Sequence, residues 1–314
     1  MPSFDITIAG ELNLDLIMYG LPAELPQERE LLADRMMLTL GSSSAIVAHN
    51  LAALGSKVGF ISKIGNDSLG EIALERVLAV GVDVSKLRRV GGNTQTGLTV
   101  ILQRNGWRNI LTYVGTISEL KFEDLDLDYL ASSRHFHLSS FFLQSGLRPQ
   151  VAELFQQLKA RGLTISLDTN DDPEDHWQGG LKDALRHVDI FFPNEREAKR
   201  VAGSEDLDVA VARLSQIVPL VVVKLGPAGA MAQRGSKRIT SSPLKVSAVD
   251  PVGAGDSFDA GFLHEFVKGS DLATCLASGN LAGALSTTRQ GGTEAFRDHK
   301  YLDTFLRLHS NYQP

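Results

Sequence analysis

The sequence predicts an α/β fold, a mostly parallel central sheet with helices on both faces and a small antiparallel β lid. Short apolar runs alternate with longer segments of helical period along most of the chain. Connections of that length imply right-handed crossovers and parallel pairing. One block breaks the alternation, with strand-like runs that have no helix between them. Taken in order, Asp5–Ala9 is the first buried strand, and Leu12–Tyr19 and Arg35–Leu40 are strand-like neighbours. Ser44–Leu54 has helical period, Val58–Ser62 is a strand and Ser68–Val80 a helix. Gly97–Val114 reads as two strands joined around Asn105-Gly106, a dipeptide suited to a two-residue hairpin turn. His135–Leu138, Thr164–Asp168, Ile190–Phe192 and Leu220–Leu225 are further buried strands. Between them lie helices at Leu147–Arg161, Glu195–Ala202 and Val209–Ile217. From Asp256 onward the pattern is helical, with no repeat and no low-complexity tail. Residues 1–10, 41–92 and 117–314 therefore form the expected main domain, and 11–40 and 93–116 the lid. A flap of that kind would close over a substrate and keep water from an activated group.

The chain has 314 residues, 43% hydrophobic and 22% charged, with a net charge of -6. This is ordinary globular composition, and the sign and the absence of a Lys/Arg run argue against nucleic acid or a membrane surface as partner. The single cysteine, Cys275, excludes an intramolecular disulfide and a multi-cysteine metal site, and is expected as a small buried residue in a helix. No uncharged apolar stretch reaches the roughly 18–20 residues of a membrane span. Asp5 and the lack of a basic leader predict no secretory signal, so a cytoplasmic protein is expected.

The most informative segment is Asp250-Pro251-Val252-Gly253-Ala254-Gly255-Asp256-Ser257-Phe258-Asp259-Ala260-Gly261-Phe262. Phe258, Phe262 and Phe266 recur one helical turn apart, so a Gly-rich turn feeds directly into a helix. The first amides of a helix lack intrahelical partners, and the dipole favours an anion there. Asp256 beside them reads either as a plain helix cap or as a base next to a phosphoryl site.

Six segments in sequence order resemble the PfkB/ribokinase family of carbohydrate kinases, over essentially the whole chain. Asp250–Phe262 is similar to its D-T-x-G-A-G-D-x-F-x-A-G signature. Gly41-Ser42-Ser43-Ser44-Ala45 through Leu54-Gly55 matches its N-terminal signature, and Gly65–Gly70 its G-x-D-x-x-G. Asn194-Glu195-Arg196-Glu197 matches N-x-x-E, Leu225–Gly229 matches L-G-x-x-G, and Asn280 through Gly292 the last helix and its turn. The resemblance implies a ribokinase-like fold and transfer of the γ-phosphoryl group of ATP, with magnesium, to a hydroxyl of a small sugar or sugar derivative. It makes Asp256 the general base and gives the amides of Gly253, Ala254 and Gly255 the role of an anion hole. It sets Asn194 and Glu197 near the phosphates, with Glu197 reaching Mg through water, and Gly226, Gly229 and Asn280 beside the adenine. Asp250, with carbonyls around Gly292, would form a monovalent-cation (K) site like that of some relatives.

Asn13 and Asp15 match the N-x-D that grips sugar hydroxyls, with a turn-forming pair as the alternative; Gly41 and Ser42 stand where Gly-Gly is common. Lys224 replaces a small hydroxyl residue and is either a phosphate ligand or solvent-facing charge. Ile46 replaces an amide that bonds the sugar in many relatives. Asn50, one turn on, points too deep to substitute, whereas Ser43 and Ser44 could compensate in part. Ser139 and Ser140 end a strand where some sugar kinases carry a charged or amide group. The recognition side is thus comparatively apolar and hydroxyl-rich, which leaves a nucleoside acceptor, or a non-catalytic sugar/nucleotide sensor, as alternatives to a sugar kinase. Single His49 and His137 are expected to be structural. Free strand edges in the lid would permit a homodimer.

Overall fold

The computed structural model describes residues 2–104, 107–309 and 312. In chain order the first half holds β1 (Ile6–Ala9), β2 (Leu14–Tyr19), β3 (Arg35–Leu40), α1 (Ser43–Ala53), β4 (Val58–Ile61), β5 (Lys63–Ile64), α2 (Ser68–Leu78), β6 (Arg88–Arg89), β7 (Leu98–Arg104), β8 (Trp107–Tyr113), α3 (Leu127–Leu130), β9 (His135–Leu138) and α4 (Val151–Ala160). There follow β10 (Thr164–Leu167), α5 (Leu181–Leu185), β11 (Ile190–Phe191), α6 (Glu195–Ala202), α7 (Leu207–Leu214), β12 (Leu220–Lys224), β13 (Ala230–Arg234), β14 (Lys237–Ser241), α8 (Ala254–Phe266), α9 (Leu272–Thr287), α10 (Glu294–Arg297) and α11 (His299–Leu308).

Eight strands form the main sheet in the order β14-β13-β12-β11-β10-β9-β1-β4. The six from β4 to β12 run parallel, and β13 and β14 add an antiparallel edge. Parallel strands bury both faces, so their residues divide between two cores by period-two alternation. Ile6, Ile8, Phe60, Val222 and Phe192 pack with α1, α2, α8 and α9. Ala9, Ile61, Phe136, Leu167, Val221 and Val223 pack with α4 to α7 on the other face. Cys275 lies in the first core, fully buried, its thiol pushed up to about 12 by burial.

His137 also faces the α8 side, its ring nitrogens 2.7 Å from Ser166 Oγ and 2.8 Å from Ser139 Oγ. Burial holds it down to about 4, a neutral and structural residue. His49 is likewise buried, with Nδ1 2.8 Å from Asn50 Oδ1.

The lid is a four-stranded sheet in the order β3-β2-β7-β8. Its outer pairs are antiparallel, but the central pair, β2 with β7, runs parallel, so the unit is two hairpins side by side rather than one antiparallel meander. Strand alternation turns Asp15, Ile17, Thr99, Ile101, Gln103, Arg108, Ile110 and Thr112 to the same side of the lid. Asn105 and Gly106, the expected hairpin turn, lie outside the described residues. Ile17, Tyr19, Ile101 and Met37 pack on Val252, which seats the lid on the Gly-rich turn.

Candidate active site

A cavity of about 1020 Å³ opens between the lid and the carboxyl ends of the parallel strands, where open α/β sheets bind ligands. Its lining includes Asn13, Asp15, Ser42, Ser43, Ile46, Asn194, Glu197, Lys224, Gly226, Gly253, Ala254, Gly255 and Asp256, drawn from five separate segments of the chain. Gly41, Gly229, Asn280 and Asp250 are not among the lining residues.

The turn before α8 is built by Gly253, whose φ of 72° lies in the left-handed region. A Cβ at Gly253 would stand 2.5 Å from Gly292 Cα, so both the angle and the space demand glycine. The turn closes with a 3.3 Å bond from the Ala254 amide to Pro251 O. Of the three amides expected to face an anion, that of Ala254 is therefore partly engaged. The amides of Gly253, Gly255 and Asp256 make no hydrogen bond among the described residues. The free donors thus include Asp256's own amide.

Asp256 stands in the first turn of α8, 9% exposed. Burial, reinforced by Asp168, pushes its carboxyl above the usual range, while Lys224, Ser43 and Asn170 pull it back. Lys224, at the end of β12, is no solvent-facing charge. Its Nζ lies 2.5 Å from Asp168 Oδ2 and 3.3 Å from Asp259 Oδ2, with its side chain 12% exposed. A Cβ on Gly255 would be only 3.6 Å from Nζ, so the ammonium flanks the amide cradle. Burial works against the ammonium, but Asp168, Asp259 and Glu197 more than offset it and raise its pKa. Asp259, one turn beyond Asp256, is fully buried and held well above the carboxylate range by burial, only partly countered by Lys224.

Asn194 caps α6 by accepting from the Glu197 amide at 2.9 Å, and Glu197 accepts in return from the Asn194 amide (2.8 Å) and Nδ2 (2.6 Å). The cap is therefore real, but its carboxylate is buried rather than solvated, and burial, then Asp168, pushes Glu197 up to about 7. Each oxygen keeps a second lone pair and both residues line the cavity, so the pair fits a hydrated Mg²⁺ contacted through water.

On the acceptor side, Asp15 (6% exposed) is pushed up to about 7 by burial and then by Asp256 and Asp250. A side chain at Gly41 would collide with the Asp15 carboxylate, so this glycine makes room for Asp15 without lining the cavity itself. Asn13 is buried with Oδ1 unpartnered. Ser42 holds a φ of 67°, a strained angle for a residue with a Cβ, yet its Oγ caps α1 at Ala45 N (3.1 Å) and donates to Glu11 O (2.5 Å). Ser43 Oγ receives a 2.8 Å bond from Asn170 Nδ2. Ser44 gives no compensation for Ile46: it is buried, its hydroxyl spent on Glu11 Oε2 at 2.7 Å. Asn50 is indeed deep, donating to Ser257 Oγ and Gly292 O.

Raising Asp15 above its ordinary value has a definite sign. The stability tied to its proton is fully present below about pH 4 and is lost as pH rises through about 7. Asp15→Asn is expected to gain stability over the parent as pH goes from 4 to 8, by up to about 4 kcal/mol. Denaturant titrations at the two pH values measure the change, and a constant difference would count against the shift.

Asp250 does not fit a cation site. Oδ1 accepts from Gln103 Nε2 and Val252 N, both at 3.0 Å, and Oδ2 from Tyr19 Oη (2.8 Å) and Gly291 N (3.1 Å). Four donors fill a carboxylate's acceptor positions, and two of them come from the lid. Of the carbonyls around Gly292 that were expected to complete it, that of Gly292 itself accepts from Asn50 Nδ2 at 3.1 Å. Asn280 and Gly229 act at one remove. Asn280 Nδ2 holds Ser241 and Ser242, and a side chain at Gly229 would strike the same segment.

Several lining residues carry no expectation from the sequence. Asn170, with a φ of 52°, bridges Ser43 and the Ser140 amide (3.0 Å), and Ser140 is itself at 53°. Glu11 and the lid's Arg108 also line the cavity, as does Asp168, whose place at the carboxyl end of an expected strand does put it at this edge from the sequence. The signal for Asn170 was present, since Asp168-Thr169-Asn170 follows directly on β10.

The model of one family, described as pfkB family carbohydrate kinase, matches residues 3–299. A 2-dehydro-3-deoxygluconokinase of Bacillus subtilis is 28% identical over 85% of this chain and 86% of its own. A cytidine kinase of Thermococcus kodakarensis is 28% identical over 88% of this chain and 93% of its own. A solved E. coli structure described as a ribokinase II in complex with ATP and Mg²⁺ superposes with a TM-score of 0.85, at 25% identity, over 98% of this chain and all of that one.

Proposed function

Since the chain belongs to the pfkB family of carbohydrate kinases, and is therefore an ATP-dependent phosphotransferase, we propose that Asp256 is its general base and that the acceptor is a hydroxyl of a small sugar or sugar derivative. The observation that carries this is the junction at α8, where a buried carboxylate, three unengaged amides and the Lys224 ammonium meet at one cavity wall. Asp256 takes the proton of the acceptor hydroxyl as it attacks phosphorus in line. The amides of Gly253, Gly255 and Asp256 stabilise the charge growing on the transferring oxygens. Lys224 lies beside that cradle, and its own neutralising carboxylates keep it in place. Mg²⁺, when bound with ATP, supplies further charge neutralisation, and Glu197 with Asn194 would hold its water shell. Gly226 lines the nucleotide end, with Gly229 and Asn280 shaping the segment behind it. Asn13 and Asp15 orient the acceptor, with Ser42, Ser43 and the space left by Gly41. The lid then excludes water, a competing acceptor. A cytoplasmic location belongs to the same reading.

The direct test is ADP release with Mg-ATP across pentoses, hexoses, sugar acids, sugar phosphates and nucleosides. Turnover of a sugar-class acceptor supports the proposal, and its absence from all of them removes it. A nucleoside acceptor is the second reading, favoured by the apolar wall of Ile46, Ile101, Ile110 and Val114 and by the cytidine kinase likeness. A sensor without turnover sits poorly with the family and with the intact turn.

We also propose a homodimer through the lid. The lid face turned from the cavity carries Leu111 (53% exposed), Tyr113 (52%), Met36 (62%) and Trp107 (79%), an apolar surface unusual for a monomer, and β8 is a free edge. Sedimentation is expected to give a dimer, and Leu111→Asp a monomer; a monomeric parent overturns the assignment.

A further inference from the structure

Three cations stand in the cavity wall, Arg108, Arg196 and Lys224. Lys224 is answered by Asp168 and Asp259, and Arg196 by Asp171 (2.8 Å) and Asp175 (3.4 Å). Arg108 forms no ion pair and no side-chain hydrogen bond among the described residues. It lies on β8, on the face it shares with Ile110 and Thr112, which also line the cavity. Cross-strand register fixes its place relative to the acceptor side. Thr112 stands opposite Thr99, and Thr99 opposite Asp15, while Arg108 stands opposite Gln103. Four residues along β8 separate the Asp15 row from Arg108, about 14 Å of strand.

The rest of the wall is unfavourable for a negative group. Glu11, Asp15, Asp168, Glu197 and Asp256 all face the cavity, and the cradle at α8 is accounted for by the transferring phosphate. An anion on the acceptor therefore has one cation available to it, at the lid. We propose that the acceptor bears an anionic group, a carboxylate or a phosphoryl group, at the end remote from the hydroxyl that is phosphorylated, and that Arg108 binds it. A guanidinium offers two parallel N–H donors to either group, so it reads shape as well as charge. Ile46 is consistent with this assignment, because part of the recognition moves from neutral hydroxyls to one charged contact. The inference rests on the kinase reading of the same cavity.

The test compares the parent, Arg108→Leu and Arg108→Lys on a matched set: a neutral hexose, the corresponding aldonate and 2-keto-3-deoxyaldonate, and sugar phosphates, with ADP release as readout. The parent is expected to favour an anionic acceptor in kcat/KM by at least roughly tenfold, and the carboxylate and phosphate arms identify which anion. Arg108→Leu is expected to raise the KM for that acceptor roughly 10- to 100-fold, as for loss of a charge-assisted pair, with the KM for ATP within about twofold. Arg108→Lys should recover part of the loss. Preference for a neutral acceptor would overturn the proposal, as would a rise in the KM for ATP or an equal loss on neutral and anionic acceptors. These results leave turnover intact, whereas no ADP release from any acceptor removes the kinase reading and this proposal with it.

Discussion

Asp256→Asn is expected to lower kcat by about 10²–10⁴ while leaving the fold and ATP binding in place. The substitution keeps shape and size at the first turn of α8 and removes only the capacity to take a proton. Because burial and Asp168 already raise the Asp256 carboxyl, the amide relieves charge repulsion with Asp168 and Asp15, so stability should be unchanged or slightly higher. That combination separates a base from a structural cap, whose loss would lower stability and spare the rate. Single-turnover phosphoryl transfer and thermal unfolding on the same samples decide between them. A variant that keeps most of the parental rate would refute the general-base assignment.

Lys224→Met is expected to cost about 3–5 kcal/mol of stability, in addition to activity. The ammonium sits between Asp168 (1% exposed side chain) and Asp259 (0%), and methionine fills the volume without the charge. Asp168, which Lys224 holds below the usual carboxylate range against the effect of burial, would be left as an uncompensated buried charge. Asp259 adds little to the penalty, since it is already held toward its neutral form. Pairing Lys224→Met with Asp168→Asn should restore a large part of the loss in urea unfolding, though not the rate. No loss in the single variant would mean that the contact is not maintained in solution.

The chain's legibility followed the range of the interactions involved. The parallel strands and the α8 turn were readable because apolar alternation, glycine spacing and helical period are local properties. The β13–β14 edge was not read: Ala230–Arg234 and Lys237–Ser241 mix apolar and charged residues around Gly235, and only pairing with β12 makes them strands. The parallel match of β2 with β7 joins segments some eighty residues apart, which no local pattern encodes. Lys224 reads from the sequence as either a phosphate ligand or an exposed strand end, and only the two carboxylates from β10's exit and α8 that close on it show its burial. Asp259 carried no expectation of its own, and its full burial beside Lys224 comes from packing of α8 against the end of β12, segments distant in sequence. Asp250 matched a motif, but its partners Tyr19 and Gln103 come from the lid, far off in sequence.

That same carboxylate makes the flap and the catalytic turn mechanically interdependent. Its oxygens are shared between two side chains of the lid sheet and two amides of the main domain, so half of the donors that hold it come from the lid. Any displacement of that sheet is therefore expected to slacken the turn before α8, which would couple access to the chamber with assembly of the proposed reactive geometry.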